Sequence, residues 1–405
     1  MKIKIYYLIA FVLLIMMILP HFVKLSGMGG GVKVPGLLGG VCLIMLARNK
    51  NFNKSFYSTP VILWGILMLY HFINALLKDV PNTNINVFFG NVLNTTIVFG
   101  LTVFLASQNF KRTVLVLLIA YITYQLIVLS YFGVSSINFK ATERLSDEES
   151  LFHANMIGQY AGFGTFLAVF LSSVYRNATK YFLVLFVFFL VFTLLTESRN
   201  ALMILGIALV AFQVKYVLNS RKVGNKIYLI SIAVMFSILI PYILNYTSAG
   251  SRFTAALSGE IMHVSKTYET NTIFDSLLGE RVIYYVLGFG NFVDHPINGI
   301  GLWNFSSYND FEFPLHSEYM VHLAEGGFIG FTLYLIFIGY FIKKFRKYKD
   351  RSNPLYWQLL ILFIVILFIG ITAREFAYNQ FFPMYGLIVA FLSSSSNVFL
   401  KKNQI

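Results

Sequence analysis

Three arginines and a histidine stand at the ends of apolar runs in a chain with few charges. Arg199 lies in TESRNAL (196–202), Arg281 in LGERVIYYVLGFGNFVDHPINGIGLWNF (278–305), His316 in PLHSEYMVHLAEGGFIGFTLYLIF (314–337) and Arg374 in TAREFAYN (372–379). A guanidinium is a planar fork of donors that pairs with phosphate oxygens two at a time, so several fixed arginines suit a diphosphate. Pro314 and Ser317 signal a helix start, and Glu318 falls in its first turn, where the helix dipole favours an acid. His316 sits just before that helix, whose positive end favours the neutral imidazole, able to accept a proton. Arginines that hold a diphosphate, beside a histidine that takes a proton from a hydroxyl, fit displacement of a diphosphate leaving group from a lipid carrier.

Each stretch also has a plainer reading. Arg199 can snorkel to the membrane edge and pair with Glu197, and Arg281 can sit in an interfacial helix against lipid phosphate. His316 can serve as a capping or hydrogen-bonding group, and Arg374 and Glu375 can form an ordinary salt-bridged turn. His322 and Glu325, further along the same run, read first as structural. The glycines of 279–301 make no nucleotide loop, because no Lys-Ser/Thr follows them. There is no HExxH spacing and no Cys/His cluster, so no metal is expected, and the single cysteine, Cys42, rules out a disulfide scaffold.

The elements that must hold these residues are read from composition. Of 405 residues, 57% are hydrophobic and 12% are charged, against about a quarter charged in a soluble domain. Apolar runs near 5–20, 33–47, 60–77, 85–106, 112–133, 152–175, 180–196, 198–217, 226–245, 318–342, 355–372 and 377–397 are each read as a membrane crossing. This excludes a soluble enzyme. The expected fold is an all-α polytopic membrane protein of about 12 transmembrane helices. It forms a single integral membrane domain over 1–405, with a large extracytoplasmic loop, 246–317, between spans nine and ten. The first run, behind Lys2 and Lys4, lacks a small-residue cleavage site and is expected to be a retained anchor.

An even count of crossings puts both termini on one side. With the N-terminus inside, the inward segments and Arg112 hold 21 of the 31 Lys and Arg, while Asp350 is the one acid of 17 that faces in. That asymmetry satisfies the positive-inside rule, so the net charge of +14 reports topology and not nucleic-acid binding. Inward loops such as KKFRKYKDR (343–351) are expected to meet anionic membrane lipids. Arg199, Arg281, His316 and Arg374 then share the outer face.

At these residues the chain resembles the O-antigen polymerase (Wzy-type) and O-antigen ligase superfamily of bacterial inner-membrane proteins. The resemblance is carried by Thr196-Glu197-Ser198-Arg199-Asn200-Ala201-Leu202, by Gly279-Glu280-Arg281 with HPINGIGLWNF (295–305), by HSEYMVHLAEGGFIGFTLYL (316–335) and by HANMIGQY (153–160). It implies a lipid-linked glycosyltransferase on the outer face of the inner membrane, using an undecaprenyl-diphosphate-linked glycan with neither cofactor nor metal. Carried over, Arg199 and Arg281 grip the diphosphate and His316 is the base or acceptor-orienting group. Arg374, Glu318 and Asn155 are the expected substrate-binding residues, Arg374 by a looser match.

The polymerase reading, in which the acceptor is another lipid-linked repeat unit, is preferred as the commoner activity. The ligase reading moves finished glycan to lipid A–core. A third reading, a lipid-linked sugar flippase, calls for ionisable groups or broken helices near mid-membrane, whereas the polar residues here gather at outer ends. The resemblance also implies a separate chain-length-determining co-polymerase as partner. Sugar identity stays open, as does O-antigen against capsule.

Overall fold

The computed structural model describes residues 2–25, 57–78, 80, 82–132, 154–175, 179–196, 198–218, 281–309, 315–371, 373 and 380–393. Every regular element among them is a helix. In chain order these are α1 (Lys2–Leu25), α2 (Thr59–Leu77), α3 (Asn82–Phe132), α4 (Ala154–Val174), α5 (Thr179–Leu195), α6 (Arg199–Leu218), α7 (Arg281–Asp294) and α8 (Phe305–Tyr308). A short helix α9 (Glu318–Met320) then runs into a π turn (Val321–Glu325), followed by α10 (Gly327–Lys347), α11 (Pro354–Ile369) and α12 (Phe381–Ser393). Expected spans 33–47 and 226–245 lie outside the described residues, as do 246–280, Glu197, Arg374 and Glu375.

Four helices are long and apolar enough to cross a membrane: Thr59–Leu77, Val92–Phe132, Asn155–Val174 and Gly327–Lys347. Five shorter apolar helices lie in α1, α5, α6, α11 and α12. The chain thus reads as an all-α, multi-pass membrane protein. These four helices stand among the described residues where the sequence reading expects about twelve crossings.

The 51 residues of α3 are interrupted at Asn109 (φ −154, ψ 92). A straight helix of that length would measure roughly 77 Å, far beyond a hydrocarbon core of about 30 Å. The break resolves the mismatch. The Asn109 side chain accepts from the Arg112 amide (3.1 Å) and so caps a second limb. The two limbs run back past each other, because both reach the same end of α12. Phe99 meets Phe382 at 6.0 Å and Tyr121 donates to the Gln380 carbonyl at 2.7 Å, while Phe110 packs on Phe391 at the other end. The expected pair of spans, 85–106 and 112–133, is therefore a hairpin.

Aromatic side chains fill the centre. Trp64 of α2 packs on Phe337 of α10 (5.6 Å) and Phe382 of α12 (4.7 Å), with Phe99 of α3 and Tyr385 of α12 beside them. Small residues set the closest approach: a Cβ at Gly158 would lie 2.6 Å from that of Ala201, so α4 and α6 nearly touch. Neighbours fix direction as well. Trp64 faces Phe337 while Tyr70 reaches Gly326, so α2 and α10 are antiparallel. Phe345 faces Tyr356 and Phe341 faces Phe363, so α10 and α11 are antiparallel too. One end of the bundle collects the starts of α4, α6 and α7 with residues 315–327. The other collects Lys111, Arg112 and the C-terminal end of α10.

Candidate functional site

The site end is organised by a broken helix. The segment from Ser317 begins as a helix, passes through the π turn and restarts at Gly327 (φ 63). Such a break frees backbone groups that hydrocarbon cannot satisfy. The loop 295–301 satisfies them. Ile300 and Gly301 amides donate to the Ala324 and Glu325 carbonyls, each at 3.0 Å. In return, Phe328 and Ile329 amides at the start of α10 donate to Pro296 (2.8 Å) and Ile297 (3.2 Å) carbonyls. Two glycines make this fit possible. Gly299 (φ 69) would place a Cβ 2.5 Å from the Glu325 carbonyl carbon, and Gly327 would place one 2.5 Å from the Ile297 carbonyl.

Buried carboxylates and imidazoles lock the break in place. Glu325, fully buried, accepts from the amides of Trp303 (3.0 Å) and Phe305 (3.3 Å). From α2, the Tyr70 hydroxyl donates to Gly326 (2.7 Å), and the Asn74 amide donates to Asn298 (2.6 Å) and Glu325 (3.1 Å) carbonyls. Beneath them runs a line of three buried groups. Glu318 Oε1 meets His322 Nε2 at 3.0 Å, and His322 Nδ1 meets His71 Nε2 at 2.8 Å. An ionised carboxylate only accepts, so His322 Nε2 carries a proton, and a neutral His322 then accepts at Nδ1 from His71. That order is inferred from the donors. His322 also stacks on Tyr334 (4.3 Å). Its two nitrogens point opposite ways, which suits a hydrogen-bond chain and not a chelate. No group of three or more His, Cys, Asp or Glu positioned for a metal occurs among the described residues.

The expected site residues that the structure describes lie at the same end of the bundle as this frame. His316 is half-buried, and the Tyr284 ring meets it edge-on at 5.4 Å. Tyr284 lies one turn into α7, whose first residue is Arg281. The next residue, Tyr285, donates to the Ile371 carbonyl. The Glu318 amide donates to Gly370 (2.8 Å) and Ala373 (3.1 Å) carbonyls, so the α11 end that leads toward Arg374 is tied to the same helix start. Ser317 caps that start as the sequence reading expects, accepting from the Met320 amide (3.4 Å). Glu318 is fully buried with its carboxylate on His322, which places it behind the site.

Asn155 contacts the residue that precedes Arg199. Ser198 donates to Asn155 Oδ1 (3.0 Å), and Arg199 opens α6 immediately after it. Below them Gln380 donates to Gln159 (2.7 Å). Gln358 of α11 bonds to Ala211 of α6 (3.2 Å) and the two helices pack along their length, so the α6 start and the α11 end share one end of the bundle. The starts of α4, α6 and α7 thus lie at the same end of the bundle as His316.

The sequence reading missed His71, Asn74 and Tyr70, and Tyr284 and Tyr285. A signal for the first three exists: a His and an Asn three residues apart in an otherwise apolar crossing.

Residues 184–335 match the family described as O-antigen ligase. The matched stretch holds α6, α7, the loop, the broken helix and the start of α10, with Arg199, Arg281, His316 and Glu318 inside it. Asn155 and Arg374 lie outside. No curated protein matches the chain.

Proposed function

We propose, for a chain that carries the O-antigen polymerase/ligase superfamily domain at residues 184–335, that it is a surface-polysaccharide polymerase. It joins undecaprenyl-diphosphate-linked oligosaccharide repeat units on the outer face of the cytoplasmic membrane. The observation that supports this best is the edge-on contact between Tyr284 and His316. It sets the helix whose first residue is Arg281 beside the histidine, which supports a shared role for the two residues.

The reaction is a single displacement. The acceptor hydroxyl attacks the anomeric carbon of the donor's reducing-end sugar. The new C–O bond forms as the bond to the diphosphate oxygen breaks, and undecaprenyl diphosphate leaves. His316 takes the hydroxyl proton. Arg199 and Arg281 stabilise the charge that grows on the diphosphate. Arg374 and Asn155 hold the glycan or the carrier, and Glu318 positions the His316 helix through His322. A single step inverts the anomeric centre, so a retained configuration contradicts this mechanism. Chain length is set by a separate co-polymerase, and no metal or nucleotide takes part.

The description of the matched family favours a second reading, transfer of finished glycan to lipid A–core. One experiment separates the two. Purified protein in nanodiscs receives lipid-linked repeat units alone, and products are resolved on a gel. The polymerase gives a ladder, and His316→Ala reduces it by about 100-fold or more. Transfer only after lipid A–core is added establishes the ligase. No product with either acceptor overturns both.

A further inference from the structure

At the end of the bundle opposite His316, four lysines line one cavity of about 520 Å³. Lys343, Lys344 and Lys347 come from the last turns of α10 and Lys349 from the chain just beyond, while Thr59 of α2 and Leu392 of α12 supply facing walls. We propose that this cavity binds phosphate, carried by an anionic lipid headgroup and best by a headgroup with two phosphates. The inference is independent of the proposed reaction.

Charge is the first argument. No acid lines the cavity among the described residues, and the adjacent Asp350 accepts from the Ser352 hydroxyl at 2.6 Å. Four like charges around one space repel until an anion enters. Pre-organisation is the second. Lys344 Nζ sits 5.5 Å over the Tyr340 ring, and Tyr348, another lining residue, stacks on Phe391 (4.9 Å) and Tyr356 (5.4 Å). The aromatic wall is packed against the core before any ligand arrives, and the volume falls in the range of small-molecule sites.

Depth is the third argument, and it selects a lipid over a free ion. The 21 residues of α10 extend about 30 Å, the thickness of a hydrocarbon core. If the His316 end meets one headgroup layer, the lysines meet the other. Ile336 (49%) and Ile342 (46%) are exposed on the stretch of α10 leading to the cavity and offer a track for acyl chains. Basic pockets between membrane helices at this depth are suited to phosphate headgroups.

The test titrates the full-length protein, in detergent, with cardiolipin, phosphatidylglycerol and phosphatidylcholine, and separately with inorganic phosphate and pyrophosphate, following bound species by native mass spectrometry. Cardiolipin is expected to bind at least about tenfold more tightly than phosphatidylcholine, with phosphatidylglycerol between. The quadruple variant Lys343→Ala, Lys344→Ala, Lys347→Ala, Lys349→Ala should lose that preference. The milder pair Lys344→Gln and Lys347→Gln should halve it or more if the quadruple variant does not fold. Lys111→Ala with Arg112→Ala, at the same end but outside the cavity, should leave it intact. Equal binding of all three lipids overturns the proposal, as does equal loss in the Lys111 and Arg112 variant. Pyrophosphate displacing cardiolipin at equal concentration makes the site one for a soluble anion and overturns the lipid assignment.

Discussion

Around His316, polar groups are buried and paired, several with partners far away in sequence. Around Lys343 to Lys349, charges are half-exposed or exposed and surround a space that no acid lines among the described residues. The first end draws Glu318, His322, His71, Asn74 and Glu325 out of water and ties each to a backbone or ring partner. Such a network fixes geometry, as a displacement reaction requires of its cation and base. The second end keeps flexible ammonium stems on a firm aromatic wall, which suits an anion whose exact pose matters little. The two proposals thus ask phosphate to be held in two ways: by arginines at helix starts where chemistry is proposed, and by gathered lysines where anchoring is proposed.

The contrast can be broken most severely at His316. His316→Ala is expected to lower transfer by about 100- to 10,000-fold while leaving the melting temperature nearly unchanged, because the ring is only half-buried. Next comes the buried chain. His322→Ala takes a partner from a buried carboxylate and should destabilise the protein by about 3–5 kcal/mol, read as a lowered melting temperature in detergent. Glu318→Gln in that background should recover part of the loss, since a neutral amide is cheaper to bury. Gly327→Ala should cost about 1–3 kcal/mol, because φ is positive and its Cβ would meet the Ile297 carbonyl. Arg351→Ala is the smallest change. Its exposed guanidinium donates to the Arg346 carbonyl (3.2 Å), and stability should move by no more than about 0.5 kcal/mol.

Much of this arrangement is legible in the sequence, and the remainder has a physical reason for being hidden. The polar SQNFKR stretch (107–112) marks the turn between two crossings, and the structure breaks α3 at Asn109 within it. The DHPINGIG turns (294–301) are visible from glycine and proline, and Gly299 and Gly301 take positive φ. What those turns do is not visible. Their amides serve carbonyls of the π turn, and hydrophobic periodicity says nothing about a pairing between distant segments. The link between His71 and His322 spans 251 positions, so neither histidine announces the other. Glu318 reads in sequence as a first-turn acid, and by resemblance as substrate-binding, whereas folding turns its carboxylate inward to His322. Trp303, with φ 64, adopts a conformation no local signal suggests; the carboxylate of Glu325 on its amide holds it there.

The central claim is that Arg281 and His316 act together on one lipid-linked donor. The most direct test is a double-mutant cycle on single-turnover transfer, comparing wild type, Arg281→Ala, His316→Ala and the double variant in nanodiscs. Residues that serve one transition state are strongly non-additive. The expected result is a double variant about as impaired as the worse single one. Losses that multiply would show that the two residues act independently, and would contradict a shared site.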